Sequence, residues 1–163
     1  VKMISQPDGS VCKKTGGKYS WFSSPPDRKG RDGVPRYPNG TSISSFIHVT
    51  GDMSSDTVYL TEGALKADVA SYLAGGALFV GLTGVQNTRH LRDVINGLRP
   101  KKVVECIDMD LRTNPDVRRA QAKIQSIVMP LCDKYETFYW PESEKGIDDY
   151  LLFQKLKQQH LAV

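Results

Sequence analysis

Acidic residues stand where three apolar runs of this sequence end. Leu60-Thr61-Glu62-Gly63 closes one run, and Ile107-Asp108-Met109-Asp110 closes a second. Ser143-Glu144-Lys145-Gly146-Ile147-Asp148-Asp149 follows a third. Side chains two apart in an extended chain point the same way, roughly 6–7 Å apart. Asp108 and Asp110 therefore present like charges side by side, and withdrawing them from water is costly. A cation cancels that repulsion. Mg²⁺, or Mn²⁺ in its place, suits the pair because it is hard and often binds through one or two carboxylates plus substrate phosphates. Relief of the repulsion also predicts that Asp108→Ala removes metal binding while leaving the fold intact or more stable. Glu62 is a candidate third ligand, or a general acid or base for phosphoryl chemistry. Gly63 removes a side chain where the chain leaves the strand, so a phosphate can approach closely. Asp148 and Asp149 divide evenly between helix capping and a role near the metal.

An Asp after a strand is commonly a helix cap or a solvated turn. D-x-D after an apolar strand, with a strand-terminal Glu-Gly in the same series, is more specific. The elements that must position these acids begin at residue 57. Thr57–Leu60, Ala77–Val80, Lys102–Ile107 and Tyr135–Trp140 are expected strands, short and apolar or β-branched. Helices are expected over Gly63–Leu73, Arg89–Leu98, a stretch opened by Asn114 and Pro115 that runs to about Val128, and Asp148 or Asp149 to about Gln158. Leu91, Val94, Ile95 and Leu98 supply an inward face for the second, and Val117, Ala120, Ile124 and Ile127 or Val128 for the third. Alternating strands and helices predict an α/β fold, a parallel sheet of about four strands flanked by helices. Ligands bind at the carboxyl ends of such strands, so the three acidic groups share one edge.

The first 50 residues differ. Lys18–Phe22 and Ser42–Val49 are expected strands, with a basic loop over 24–41 rich in Pro, Gly and Asp. The expected organisation is a small β-rich segment over 1–50 and a catalytic domain over 57–158. The chain has 163 residues and a net charge of +4. Residues 1–50 hold eight Lys or Arg against three Asp, so the remainder is slightly negative. That imbalance points to a phosphate-rich partner. Lys18, Arg28, Lys29 and Arg31 in the arm, with Lys66, Arg112 and Lys145 near the acids, are candidates for phosphate or nucleic-acid binding. Tyr19, Trp21 and Phe22 suit either base stacking or core packing. Cys12, Cys106 and Cys132 have no paired spacing for a zinc ribbon. Their odd number, without a secretory signal, is the expectation for a cytoplasmic protein. No apolar run approaches the ~20 residues of a membrane span. Starting at Val1, the sequence suggests a piece of a longer protein. His48, His90 and His160 lack metal-ligand spacing, and no G-x-S-x-G nucleophile elbow occurs.

Val58–Gly63, Val104–Asp110 and Glu144–Leu151 resemble three motifs of the Toprim domain, found in bacterial primases, topoisomerases and some nucleases. Gly81-Leu82-Thr83-Gly84 occupies the place of its small-residue turn. Thr61-Glu62-Gly63 followed by Leu65-Lys66-Ala67-Asp68, with the later Lys145–Asp149, is most similar to a Toprim-like family found beside helicase modules in plasmid, phage and integrative-element proteins. The resemblance covers about 57–158. It implies Glu62 as the acid/base residue and Asp108 and Asp110 as Mg²⁺ ligands. It also implies metal-dependent nucleotidyl transfer within a mobile-element DNA primase, acting on single-stranded DNA and nucleotides, with a helicase module in the same or a partner chain. A non-catalytic DNA-binding scaffold and a metal-dependent nuclease remain alternatives. An Asp-nucleophile phosphatase does not fit, because that class carries D-x-D on its first strand, followed by Thr or Val where this chain has Arg112.

Overall fold

The computed structural model describes residues 3–5, 11–13, 46–108, 115–141 and 143–161. The chain divides into two units, Val1–Ser44 and Ser45–Val163. In the first, β1 (Met3–Ser5) and β2 (Val11–Lys13) pair antiparallel, with Ile4 opposite Cys12. The expected strand over Lys18–Phe22 and the loop over 24–41 lie outside the described residues.

The second unit is built on a five-stranded sheet. Its strands are β3 (Ile47–Thr50), β4 (Thr57–Glu62), β5 (Phe79–Leu82), β6 (Lys102–Cys106) and β7 (Lys134–Thr137), in the spatial order β3-β5-β4-β6-β7. Four strands are parallel, and β3 runs antiparallel to β5 at one edge. The β-branched stretch expected to belong to the amino-terminal segment is therefore part of the main sheet. Its backbone groups pair with β5 from Ile47 opposite Leu82 to Thr50 opposite Phe79.

The helices are α1 (Ala64–Leu73), α2 (Leu91–Leu98), α3 (Pro115–Val128) and α4 (Ile147–Leu161). They cover both faces of the sheet. Alternation along β4 sends Val58 and Leu60 to one face, where they pack with Leu91 and Ile95 of α2 and Ile124 and Val128 of α3. On the other face, Phe79, Val104 and Cys106 pack with Ala67 and Ala70 of α1, Ile147 of α4, and Trp140. The α2 and α3 faces match their apolar periodicity. In α1 the buried positions are Ala67, Ala70 and Ser71, while Leu65 and Tyr72 are exposed. That helix is apolar around most of its circumference, so spacing alone does not select its inner face. Among the described residues, no helix is long and apolar enough to cross a membrane.

Candidate metal and phosphate site

Parallel pairing sets the site's registration. Thr61 of β4 lies opposite Cys106 of β6, so Glu62 stands one residue and Asp108 two residues beyond that pair. Adjacent strands thus carry both acids to the carboxyl edge. By alternation Glu62 follows Val58 and Leu60 toward the α2–α3 face. Asp108 follows Val104 and Cys106 toward α1 and α4.

The chain turns from β4 into α1 at Gly63, whose φ of 93° and ψ of 133° suit a residue without Cβ. The Gly63 N–H donates to Leu82 O at 2.5 Å, holding the strand end to β5. It is therefore engaged within the sheet, and the residue's contribution to an approaching phosphate is its missing side chain. The first helical bond runs from Ala67 N–H to Gly63 O, 3.2 Å. The amides of Ala64, Leu65 and Lys66 consequently have no partner inside the helix, and a helix beginning is a favourable place for an anion.

Lys66, in that first turn, reaches Asp108. Its Nζ donates to both carboxylate oxygens, at 2.5 Å to Oδ1. The Asp108 side chain is 8% exposed and that of Lys66 29%. The cation expected to hold phosphate is instead paired with an acid expected to hold metal, because a nearly buried carboxylate needs a counter-charge.

Gly146, Asp148 and Asp149 open α4 beside this pair. Asp149 Oδ2 accepts the Gly146 N–H at 3.3 Å, a capping arrangement. Asp148 differs: its Oδ1 is buried and has no hydrogen-bond partner. Burial, reinforced by the neighbouring Asp149 charge, pushes its carboxyl above the usual range. Trp140 fixes the loop before α4, its Nε1–H donating to Glu144 O at 2.8 Å. Lys145 is exposed in the same loop. Asp110 and Arg112 lie outside the described residues, as do Lys18, Arg28, Lys29 and Arg31.

Among the described residues, no group of three or more His, Cys, Asp or Glu side chains is close enough to hold a metal ion. The site nevertheless has the chemistry of a hard divalent cation. Its donors are carboxylate oxygens, one acid already holds a cationic nitrogen, and the orphaned Asp148 Oδ1 is buried at the same edge. Thr61 Oγ1, next to Glu62, is also buried without a partner. Mg²⁺ keeps several waters and needs only one or two protein carboxylates, so this donor set fits it.

A second ionisable group had a signal in the sequence that pointed inward. Glu105 interrupts the apolar run of β6 and is fully buried. Tyr135 Oη donates to its Oε2, and Gln121 Nε2 donates to its Oε1 at 2.6 Å. Desolvation raises its pKa despite these bonds. The network ties β6 to β7 and α3 three residues before Asp108.

No match was found among curated proteins or among solved structures. Residues 47–158 match one family. That range contains the five-stranded sheet, its four flanking helices up to Gln158, and every acid placed at the carboxyl edge. The chain belongs to the family described as Domain of unknown function (DUF3854).

Proposed function

We propose that the chain carries a Toprim-type site for metal-dependent nucleotidyl or phosphodiester transfer on nucleic acid, as part of a mobile-element DNA primase. The observation that carries this reading is the placement of Glu62 and Asp108 at the carboxyl ends of adjacent parallel strands. Asp108 and Asp110 would hold Mg²⁺ or Mn²⁺, and Glu62, directed toward the α2–α3 face, would join them only over the carboxyl edge of the sheet. When bound, the ion supplies positive charge that stabilises oxygens developing negative charge during transfer.

The chain's own groups divide the remaining work. Glu62 is the candidate base for the attacking hydroxyl and lies on a rigid strand rather than a loop. The start of α1, with Gly63 lacking a side chain, receives a phosphate. Lys66 and Lys145 add positive charge beside the acids. Lys18, Arg28, Lys29, Arg31 and Arg112 would track the backbone of single-stranded DNA, and nucleotides would be the second substrate. A helicase module in the same or a partner chain accompanies this reading. A cytoplasmic location accompanies this role.

Mn²⁺ binding followed through water proton relaxation tests the reading. Saturable binding to wild type that disappears in Asp108→Ala/Asp110→Ala is expected, followed by nucleotide-dependent primer synthesis on single-stranded DNA. Identical relaxation in both proteins would overturn it. Cleavage without nucleotides would assign the same site to a nuclease. One observation favours a second reading: Lys66 already neutralises Asp108, as in a non-catalytic scaffold whose acid is structural. Metal binding without any turnover is the outcome expected of such a DNA-binding scaffold.

A further inference from the structure

Lys66 occupies an electrostatically awkward position. It lies in the first turn of α1, where the helix dipole places positive potential, and that turn contains no acidic residue. A lysine there gains nothing from its own helix. Its compensation comes from across the site, at Asp108. The ammonium hangs on a four-carbon stem with several rotatable bonds, so it can leave without moving the backbone. The 29% exposure of its side chain gives it a path to solvent.

Gly146 borders the ammonium on the side of Asp148. A Cβ added to Gly146 would stand 3.3 Å from Lys66 Nζ and 2.3 Å from Asp148 Oδ1. Glycine therefore keeps clear the space between the ammonium and the Asp148 oxygen that lacks a partner. The same small volume contains a monovalent cation on a flexible stem, a nearly buried carboxylate, and a second carboxylate oxygen with unused acceptor capacity.

We infer that Lys66 is an exchangeable counter-cation: it neutralises Asp108 in the metal-free protein, and an incoming divalent ion displaces it. This rests on the metal-binding reading above. The exchange is a competition for one carboxylate and forms no covalent bond. A divalent ion carries twice the charge of the ammonium and can also engage further oxygens, so it wins when its concentration suffices. The lysine keeps Asp108 from being a bare buried charge before loading. It also lowers the apparent metal affinity, setting the concentration at which the site fills.

The test uses the full chain, ε-labelled lysine NMR and Mg²⁺ calorimetry. The Lys66 side-chain resonance, identified by its loss in Lys66→Met, is expected to move along the saturation curve of Mg²⁺ binding. Lys66→Met is expected to bind Mg²⁺ about tenfold more tightly, since a competing charge is gone. Should that variant not fold, Lys66→Arg provides the assignment and the wild-type titration decides. A Lys66 resonance that stays in place while Asp108-dependent binding saturates overturns the exchange and leaves the metal site standing. Absence of any Asp108-dependent Mg²⁺ binding overturns both.

Discussion

Lys66 and Asp108, 42 residues apart in the chain, share a two-oxygen ion pair that joins the first turn of α1 to the end of β6. The pair reverses a stability argument made from Asp108 and Asp110 alone. Two neighbouring carboxylates predict that removing Asp108 relieves repulsion. With Lys66 present, Asp108→Ala deletes a partner and strands an ammonium. The expected result in metal-free buffer is a loss of about 1–2 kcal/mol, reduced from the value for a fully buried pair because Lys66 is partly exposed. Urea unfolding of Asp108→Ala, Lys66→Met and the double variant measures it, and the double variant should lose less than the sum of the singles.

Glu105 makes stability depend on pH. Its folded pKa is raised above the ordinary 4.5, chiefly by burial. The stability contributed by its protonated form is fully present below the ordinary value and is lost as pH rises through the raised folded value. Glu105→Gln removes the charge while keeping an acceptor for Tyr135. The stability difference between wild type and this variant should shift in favour of the variant as pH is raised from 4 toward 8 (roughly half a unit below the ordinary value to well above it). Chemical denaturation across that range checks the sign.

Gly63→Ala tests backbone conformation without crowding. A Cβ there meets nothing nearer than Lys66 Cγ at 3.8 Å, so the penalty comes from φ alone. A loss of about 1–3 kcal/mol is expected. Thermal or urea unfolding measures it, and an unchanged midpoint would mean that the turn relaxes to another conformation.

Cys106 should be inert in the native protein. It is 1% exposed, and burial, with the nearby Glu105 charge, pushes its thiol up to about 12. At pH 8 a disulfide reagent should label it only when β6 opens, with a rate that follows global unfolding. Peptide mapping after timed labelling distinguishes it from Cys132, which is partly exposed.

Much of the second unit was legible because its pattern is local. The βα series, the inner faces of α2 and α3, and the strand positions of Glu62 and Asp108 follow from periodicity. The expected second strand begins two residues early: Ala77 and Leu78 are apolar but precede β5, although the Leu78 carbonyl accepts the Tyr59 N–H at 2.9 Å. Nothing local assigned Ile47–Thr50 to the main sheet, because antiparallel addition to β5 is a long-range choice. The Lys66–Asp108 pair was hidden for the same reason: it depends on α1 packing across the face toward which Asp108 turns just beyond β6. Glu105 was the readable exception, a carboxylate inside an otherwise apolar strand.

The two outer strands also bear on how the protein behaves at high concentration. Both β3 and β7 are four residues long, so each offers few unpaired backbone groups to another chain. β7 carries Lys134 and Glu136, and Glu136 is held by Lys102 at 2.6 Å and Lys134 at 2.5 Å. These two cations keep its carboxylate ionised down to about 2. A neighbouring molecule adding a strand there would have to strip water from fixed charges while gaining few hydrogen bonds. The β7 border thus discourages edge-to-edge aggregation even in mildly acidic solution, where many surface carboxylates lose their charge.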